Sequence, residues 1–191
     1  MKRIVITLGC PNGIPPEITV KALNTLDLPL GNVIIAGNKN ILDYYSRNFN
    51  LKLKKKYEIA EIPFDINTLK IGYETKEAGE FSFQALKKAC ELVKENKAEA
   101  IVTAPVSKNE LKLAGYDYSG QTEILEHFLG GGVQKAEMVF ICSKFSVMLI
   151  TRHTALSSVN KFIKKELLVE RIKKLAQSFN RQLNIKDPKF A

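Results

Sequence analysis

The 191-residue chain contains no tryptophan, two histidines and three cysteines. Cys10, Cys90 and Cys142 lie far apart and form no CxxC pair, so the sequence offers neither a zinc-cluster motif nor a disulfide framework. We interpret Cys90 and Cys142 as packing residues in a reducing cytoplasm, and we place Cys10 in a turn.

Long apolar runs are also absent. None approaches the roughly 18 residues that a membrane helix needs, so we expect no membrane partner. The opening "MKRIVITLGC" has too short an apolar stretch for a secretory signal and predicts a buried first strand instead. No glycine/serine linker or internal repeat is present, which indicates that any second domain is interwoven with the first.

The net charge of +9 comes from lysine, because only 5 of the 29 basic residues are arginine. The one dense run, "LKLKKKY" at 51–57, alternates with leucine as an exposed edge strand would. No aromatic platform accompanies it, so we favour a solvated surface over a nucleic-acid interface. A weaker interpretation is that the positive charge attracts an anionic small molecule.

Strand and helix patterns alternate along the first half, which predicts an α/β fold with a parallel sheet and right-handed crossovers. Residues 50–73 are interpreted as peripheral strands and loops. The predicted strands are "RIVIT" (3–7), "NVIIAG" (32–37) and "AIVTAP" (100–105), and the predicted helices are "PEITVKALNTL", "KNILDYYSRNF" and "GEFSFQALKKACELVKENKAE".

The second half predicts a short helix in "SKNELKLAG", a turn and helix in "YDYSGQTEILEHFLGG", and a hairpin in "EMVFICSKFSVMLITRH". A long amphipathic helix follows in "NKFIKKELLVERIKKLAQSFNRQL". Its predicted buried stripe consists of Leu167, Leu168, Ile172, Leu175, Ala176 and Phe179.

Three loops follow apolar runs and carry residues that a core does not need: "LGCPNGIPPE", "TAPVSK" and "ITRHTAL". Ligands of parallel α/β sheets bind at the carboxyl ends of strands, so we expect these loops to form one site. The first loop matches neither GxGxxG nor a Walker motif and is a weak phosphate signal by itself.

Lys108 of "TAPVSK" is either a solvated lysine or a group that neutralises a phosphate or carboxylate, or acts as a general acid. "SGQTE" places Gln121 and Thr122 at a helix N-terminus, where backbone N–H groups favour an anion. The alternative is that Ser119 or Thr122 merely caps this helix, with Glu123 in its first turn.

His153 follows the apolar run "SVMLIT". It is either a hydrogen-bonded structural residue or, at a strand end, a ligand for a divalent metal. We interpret His127, among apolar helix neighbours, as structural. One histidine cannot build a metal site, so further ligands would have to come from outside this stretch or from another subunit.

The series "ITLGCPNGIPPE", "GEFSFQALKKACEL", "AIVTAPVSKNELKLAGYDYSGQTEIL", "VMLITRHTAL" and "DPKFA" resembles the 4-hydroxythreonine-4-phosphate dehydrogenase family of vitamin B6 biosynthesis. The resemblance implies an isocitrate/isopropylmalate-dehydrogenase-like three-layer α/β fold with two interwoven domains, here 1–104 and 105–191. It also implies a cytoplasmic homodimer that oxidises a phosphorylated hydroxy-amino acid with NAD or NADP and a divalent metal (Zn, Mg or Co), followed by decarboxylation.

Residue by residue, the resemblance implies that His153 is a metal ligand and that Gln121 and Thr122 bind substrate. Lys108, from its position after "TAPVS", is the candidate catalytic residue. Cofactor-binding residues are not identified. Gln121 replaces the family's histidine and cannot carry charge. Cys10 stands where the family usually has aspartate, and Pro15 where it usually has a glycine whose φ proline would restrict.

Similar enzymes continue beyond "DPKFA" into loops that supply two further metal ligands, so this chain corresponds to the front part of the family's length. We therefore expect the chain alone to be inactive. Two alternatives stay open: a non-catalytic module that binds a small molecule or dimerises, and a paralogue that acts on another four-carbon phosphorylated hydroxy acid.

Overall fold

A computed structural model describes residues 3–25, 31–53, 57–131 and 136–191. The chain divides into two compact units, Met1–Ala136 and Glu137–Ala191. Within the described ranges, no helix combines the length and apolar character needed to cross a membrane.

The first unit is built on a parallel sheet in the order β3-β2-β1-β4. The strands are β1 (Ile4–Thr7), β2 (Val33–Gly37), β3 (Glu58–Glu61) and β4 (Ala100–Val102). Ile4 of β1 pairs with Val33 on one side and with Ala100 on the other. The predicted parallel α/β sheet is therefore confirmed, with β3 from the 50–73 segment at one edge.

Helices cover both faces of this sheet, in three layers. Helices α1 (Pro15–Thr25) and α2 (Lys39–Asn48) pack with Val33 and Ile35, whereas α3 (Lys76–Lys94) packs with Val5, Ile34 and Ala36. Every residue of β2 is buried, because successive side chains of a strand point to opposite faces and both faces are covered.

Local sequence sets where these helices begin. The side chain of Thr75 accepts a hydrogen bond from the backbone N–H of Ala78, so α3 starts three residues before the predicted "GEFSF" segment. Pro15 is the first residue of α1, a position that suits its fixed φ and missing N–H. The proline that replaces the family's glycine is thus accommodated by the helix start.

Two shorter helices, α4 (Lys108–Leu113) and α5 (Gln121–Leu129), pack against α3. Phe83 stacks on Tyr116 at 3.6 Å between ring centroids. A Cβ on Gly79 would lie 1.9 Å from the backbone oxygen of Glu110, so α3 and α4 approach more closely than any side chain permits. These contacts join α4 and α5 to α3 within the first unit, and the domain boundary at 104/105 stays a prediction.

The second unit contains the predicted hairpin. Strands β5 (Val139–Ile141) and β6 (Ser146–Met148) pair antiparallel, with Phe140 opposite Val147. Helix α6 (Val159–Phe162) is separate from α7 (Lys165–Leu183), because Ile163 adopts an extended backbone. The single long helix predicted here was therefore wrong.

Arg171 of α7 anchors this helix to the hairpin. Its Nη1 donates to the backbone oxygens of Leu149 and Ile150 at 3.1 and 2.8 Å and pairs with Glu137 at 3.2 Å. Of the predicted stripe on α7, only Leu175 is buried within the described structure, and Ile172 is exposed.

Two further expectations need correction. Residues 51–53 form no strand, and 54–56 of the predicted lysine-rich edge strand lie outside the described residues. Cys142 is exposed, because it lies in the turn of the hairpin and not in its packed face, whereas Cys90 is buried on α3 as predicted.

Candidate functional site

The loops that follow β1 and β4 are joined by backbone contacts. The backbone N–H of Ala104 donates to Thr7 Oγ1 at 3.1 Å, and that of Cys10 donates to the carbonyl of Pro105 at 3.0 Å. Gly9 has φ +65°, and a Cβ there would lie 2.4 Å from the Pro105 oxygen. Two of the three loops predicted to form one site therefore lie side by side.

The N-terminus of α5 joins the same pair of loops through Gln121. The Gln121 side chain donates from Nε2 to the carbonyl oxygen of Ala104 at 2.8 Å. Gly120 is the N-cap, with extended backbone and no side-chain cap, which contradicts the alternative that Ser119 or Thr122 caps this helix. The first backbone N–H groups of α5 consequently lack a side-chain acceptor from the cap.

Lys108 lies beside this helix start. Its Cε is 4.0 Å, and Glu123 Oε2 is 3.3 Å, from the point that a Cβ on Gly120 would occupy. Lys108 is exposed, and Gln121 and Thr122 are half-buried. The structure thus brings Lys108, Gln121 and the loop after β4 together, with Thr122 next along the helix. A cation next to a helix N-terminus whose cap residue offers no side-chain acceptor favours an anion, and the Glu123 carboxylate is one negative charge already present there.

Asn12 organises the back of this loop layer and was not predicted as a site residue. Its Nδ2 donates to the backbone oxygen of Tyr73 at 2.9 Å and to Thr75 Oγ1 at 3.2 Å, while its Oδ1 accepts from the Lys70 N–H at 2.9 Å. The sequence indicates only a turn at "PNG", since these partners lie about sixty positions away.

Glu110 is the second residue that sequence reasoning missed. Its side chain is 1% exposed, Oε1 accepts from the Thr75 N–H at 3.4 Å, and Oε2 is buried without a well-formed hydrogen bond among the described residues. Burial raises the pKa of the Glu110 carboxyl. A helical pattern alone would place this glutamate at the surface.

Cys10 faces Glu110 from the first loop. Burial raises the pKa of the Cys10 thiol to about 12, and the neighbouring Glu110 carboxylate adds to the rise. Hydrogen bonds from the backbone of Asn12 and Gly13 oppose it. A thiol with this pKa is protonated at neutral pH, so Cys10 is a packing and hydrogen-bonding residue and not a nucleophile.

His153 belongs to the second unit, and its proximity to Lys108 and Thr122 stays a prediction. It has φ +53° and an exposed ring, and none of the described residues forms a hydrogen bond or ion pair with that ring. His127 also is exposed, with its ring edge-on to Phe128 at 5.0 Å. The exposed, unbonded imidazole of His153 would suit one metal ligand.

A complete metal site needs more than this residue. Among the described residues, no group of three His, Cys, Asp or Glu side chains could hold a metal ion. Within the described residues, His153 is therefore a single candidate ligand and does not form a complete metal site.

Comparison with known proteins identifies relatives along the whole chain. It is 32% identical over 202 residues to 4-hydroxythreonine-4-phosphate dehydrogenase of Sulfurihydrogenibium sp. (strain YO3AOP1), covering 100% of this chain and 62% of that protein. A protein of Fusobacterium nucleatum provisionally named D-threonate 4-phosphate dehydrogenase is 30% identical, covering 96% of this chain and 59% of its own length.

Solved structures show the same fold. The crystal structure of 4-hydroxythreonine-4-phosphate dehydrogenase from Klebsiella pneumoniae superposes with a TM-score of 0.84 at 26% identity, covering 99% of this chain and 62% of that one. The chain thus spans about three-fifths of the length of these relatives. A family model described as "Pyridoxal phosphate biosynthetic protein PdxA" matches residues 27–191. The chain belongs to this PdxA family of dehydrogenases.

Proposed function

We propose that the protein containing this chain oxidises 4-hydroxythreonine 4-phosphate with NAD or NADP and a divalent metal, and that the oxidised product then loses CO2, in pyridoxal phosphate biosynthesis. The family match over residues 27–191 is the observation that carries this proposal. In the cell we expect a cytoplasmic enzyme.

The anionic end of the substrate would bind where Lys108 adjoins the start of α5. The lysine supplies a positive charge, and the uncapped helix N-terminus supplies backbone donors, including those of Gln121 and Thr122. The Thr122 hydroxyl adds a further donor or acceptor. A phosphate or carboxylate is the ligand that such a set of donors recognises.

His153 would supply one ligand of the divalent metal. When bound, that metal would polarise the substrate oxygens at the carbon to be oxidised. The remaining ligands and the cofactor-binding residues would come from parts of the protein outside this chain or from a second subunit. On this proposal the 191-residue chain alone reduces no NAD(P).

We also propose a homodimer that covers the hairpin. Phe140, Ile141 and Phe145 are 54%, 63% and 66% exposed in this chain. Three large apolar side chains on one short hairpin are costly to leave in water and are typical of an interaction surface. Sedimentation as a strict monomer at micromolar concentration would contradict the dimer.

A second candidate substrate is D-threonate 4-phosphate. The Fusobacterium nucleatum relative supports it by name, and Gln121 supports it because an uncharged amide replaces the histidine of the family motif. Steady-state kinetics of the complete protein with both phosphorylated acids would decide between the candidates, since the ratio of kcat/KM values measures discrimination directly.

The test of the metal proposal is the replacement His153→Ala in the complete protein. Loss of a ligand should lower metal affinity and NAD(P) reduction together, at least by the 10–100-fold typical of changes to groups that only orient a ligand. His127→Ala is the matched control, because His127 is the other histidine of these 191 residues and its ring contacts Tyr118 and Phe128 instead.

A corresponding pair tests the anion site. Lys108→Met should raise the KM for the phosphorylated substrate, whereas Lys112→Met, in the same helix and also exposed, should not. Unchanged metal affinity in His153→Ala, or equal effects of the two lysine variants, would contradict the roles proposed here.

A further inference from the structure

Helices α3 and α4 are joined at their N-termini by side chains that cross from one helix start to the other. Thr75, the N-cap of α3, donates its backbone N–H to Glu110 Oε1 of α4 at 3.4 Å. In return Ser107, the N-cap of α4, donates its hydroxyl to Glu74 Oε1 at 2.6 Å. Ser107 and Glu110 have the spacing of a capping box, in which the glutamate returns to the N–H of its own cap. Here Glu110 accepts from the cap of the neighbouring helix, so the two helix starts are fixed to each other.

Glu74 contacts the residues on both sides of Lys108. Its Oε1 accepts from Ser107, and its Oε2 accepts from Asn109 Nδ2 at 3.3 Å. One carboxylate therefore holds the residue before Lys108 and the residue after it. Lys108 is the first residue of α4, so the direction of its flexible side chain depends on how this short stretch of backbone is held.

The residues around Glu74 form a buried frame, although Glu74 itself is exposed. The neighbouring Thr75 accepts at Oγ1 from Asn12 Nδ2 of the first loop at 3.2 Å. Asn12 and Glu110 are 2% and 1% exposed. Exposed polar contacts such as those of Glu74 contribute little to global stability. We therefore expect them to affect the local position of Lys108 more than the free energy of unfolding.

We propose that Glu74 is a positioning residue, which holds the first turn of α4 so that Lys108 faces the anionic end of the substrate. This inference rests on the proposed function, which gives Lys108 that role. The negative charge of Glu74 acts in the opposite direction, because a carboxylate near an anion site disfavours anion binding. Loss of positioning therefore raises the KM for the phosphorylated substrate, whereas loss of the charge alone would lower it.

The first test is steady-state kinetics of the complete protein with 4-hydroxythreonine 4-phosphate. Glu74→Ala should raise the KM about fivefold, the effect of about one hydrogen bond, and leave kcat unchanged, because the lost interaction is one of binding. Glu77→Ala is the matched control. Glu77 is also an exposed glutamate at the start of α3, and its side chain forms no hydrogen bond or ion pair with the described residues. An unchanged or lower KM in Glu74→Ala, or an equal rise in Glu77→Ala, would overturn the inference.

The variant Glu74→Gln separates hydrogen bonding from charge. Its amide oxygen can accept from Ser107, and its NH2 group can donate to Asn109 once the Asn109 amide turns over. The KM should therefore stay within about twofold of the wild-type value although the charge is gone. A KM as high as that of Glu74→Ala would show that the hydrogen bonds do not position Lys108.

A double variant tests whether Glu74 acts through Lys108. Adding Glu74→Ala to Lys108→Met should leave the KM where Lys108→Met alone places it, because no ammonium group is left to position. A further rise of about fivefold would overturn the inference, since Glu74 would then act on the site in another way. If wild-type protein does not turn over the substrate, or if Lys108→Met leaves its KM unchanged, the proposed function of this site is wrong and the inference falls with it. If Lys108→Met raises the KM and Glu74→Ala does not, only the role of Glu74 is wrong.

Discussion

Cys10 stands where the family usually has aspartate. Replacing Cys10 by aspartate should nevertheless destabilise this protein as long as Glu110 is present. The two side chains face each other, and they are 8% and 1% exposed. A carboxylate at position 10 would attract the backbone N–H groups of Asn12 and Gly13, which already lower the pKa of the thiol, although the Gly13 N–H also donates to the Cys10 carbonyl at 3.3 Å. It would also place a second acid beside a buried one.

The balance between these effects decides the sign. Hydrogen bonds to a charged group contribute about 1.5–3 kcal/mol each, which roughly offsets the several kcal/mol that desolvating a carboxylate costs. Repulsion from Glu110 is then left over. Groups in direct contact couple by about 0.5–3 kcal/mol, so we expect Cys10→Asp to cost about 2 kcal/mol at neutral pH.

A double-mutant cycle tests this reasoning. Cys10→Asp is compared in wild type and in Glu110→Gln, whose Oε1 still accepts from Thr75, by urea unfolding at neutral pH. The cost of about 2 kcal/mol, or about 4–8 °C in Tm, should nearly vanish in the Gln background. Cys142→Asp, at an exposed cysteine, should have little effect in either background. A coupling free energy below about 0.5 kcal/mol between positions 10 and 110 would refute the inference that these two side chains lie in contact.

Two further outcomes are expected. Gly79→Ala should lower the free energy of unfolding in urea by about 3 kcal/mol, because the new Cβ would lie 1.9 Å from the Glu110 carbonyl oxygen. Gly13→Ala, whose Cβ would have its nearest contact at 3.4 Å, is the control. Equal losses of stability in the two variants would contradict the reasoning. The free energy of unfolding should fall as pH rises from about 4.5 through the raised pKa of Glu110, because the folded state holds the proton of this carboxyl more tightly than the unfolded chain does. If the same loss of stability with rising pH persists in Glu110→Gln, another group causes it.

Most of the parallel sheet could be predicted from sequence because β1, β2 and β4 each contain β-branched residues and are each followed by a helical pattern. The edge strand β3, with the sequence EIAE, carries no such signal and was assigned only to a segment of peripheral strands and loops. The turn after β1 and the helix start at Pro15 follow equally from local residue types. By contrast, the break at Ile163 was missed, since the apolar spacing runs through it and only the backbone shows the interruption.

The candidate site was predictable only in part. Lys108 and Gln121 were identified from their motifs and do lie near one another. Asn12 and Glu110 were missed, because their partners are distant in sequence and polar residues carry no periodic signal when they are buried. The hydrogen bond from Gln121 to the Ala104 carbonyl likewise depends on tertiary packing. The sequence alone therefore could not predict the orientation of the Gln121 amide.

The strand order has a consequence for how the chain acquires its structure during synthesis. β1 is made before the other three strands, yet its pairing with Ala100–Val102 must wait until roughly a hundred further residues have left the ribosome. Until then Ile4, Val5 and Ile6 offer an open strand edge to any other nascent or unfolded chain. Early pairing with β2 protects only one side, so a slow stretch of translation before β4 should favour aggregation, and chaperone capture of the exposed β1 should oppose it.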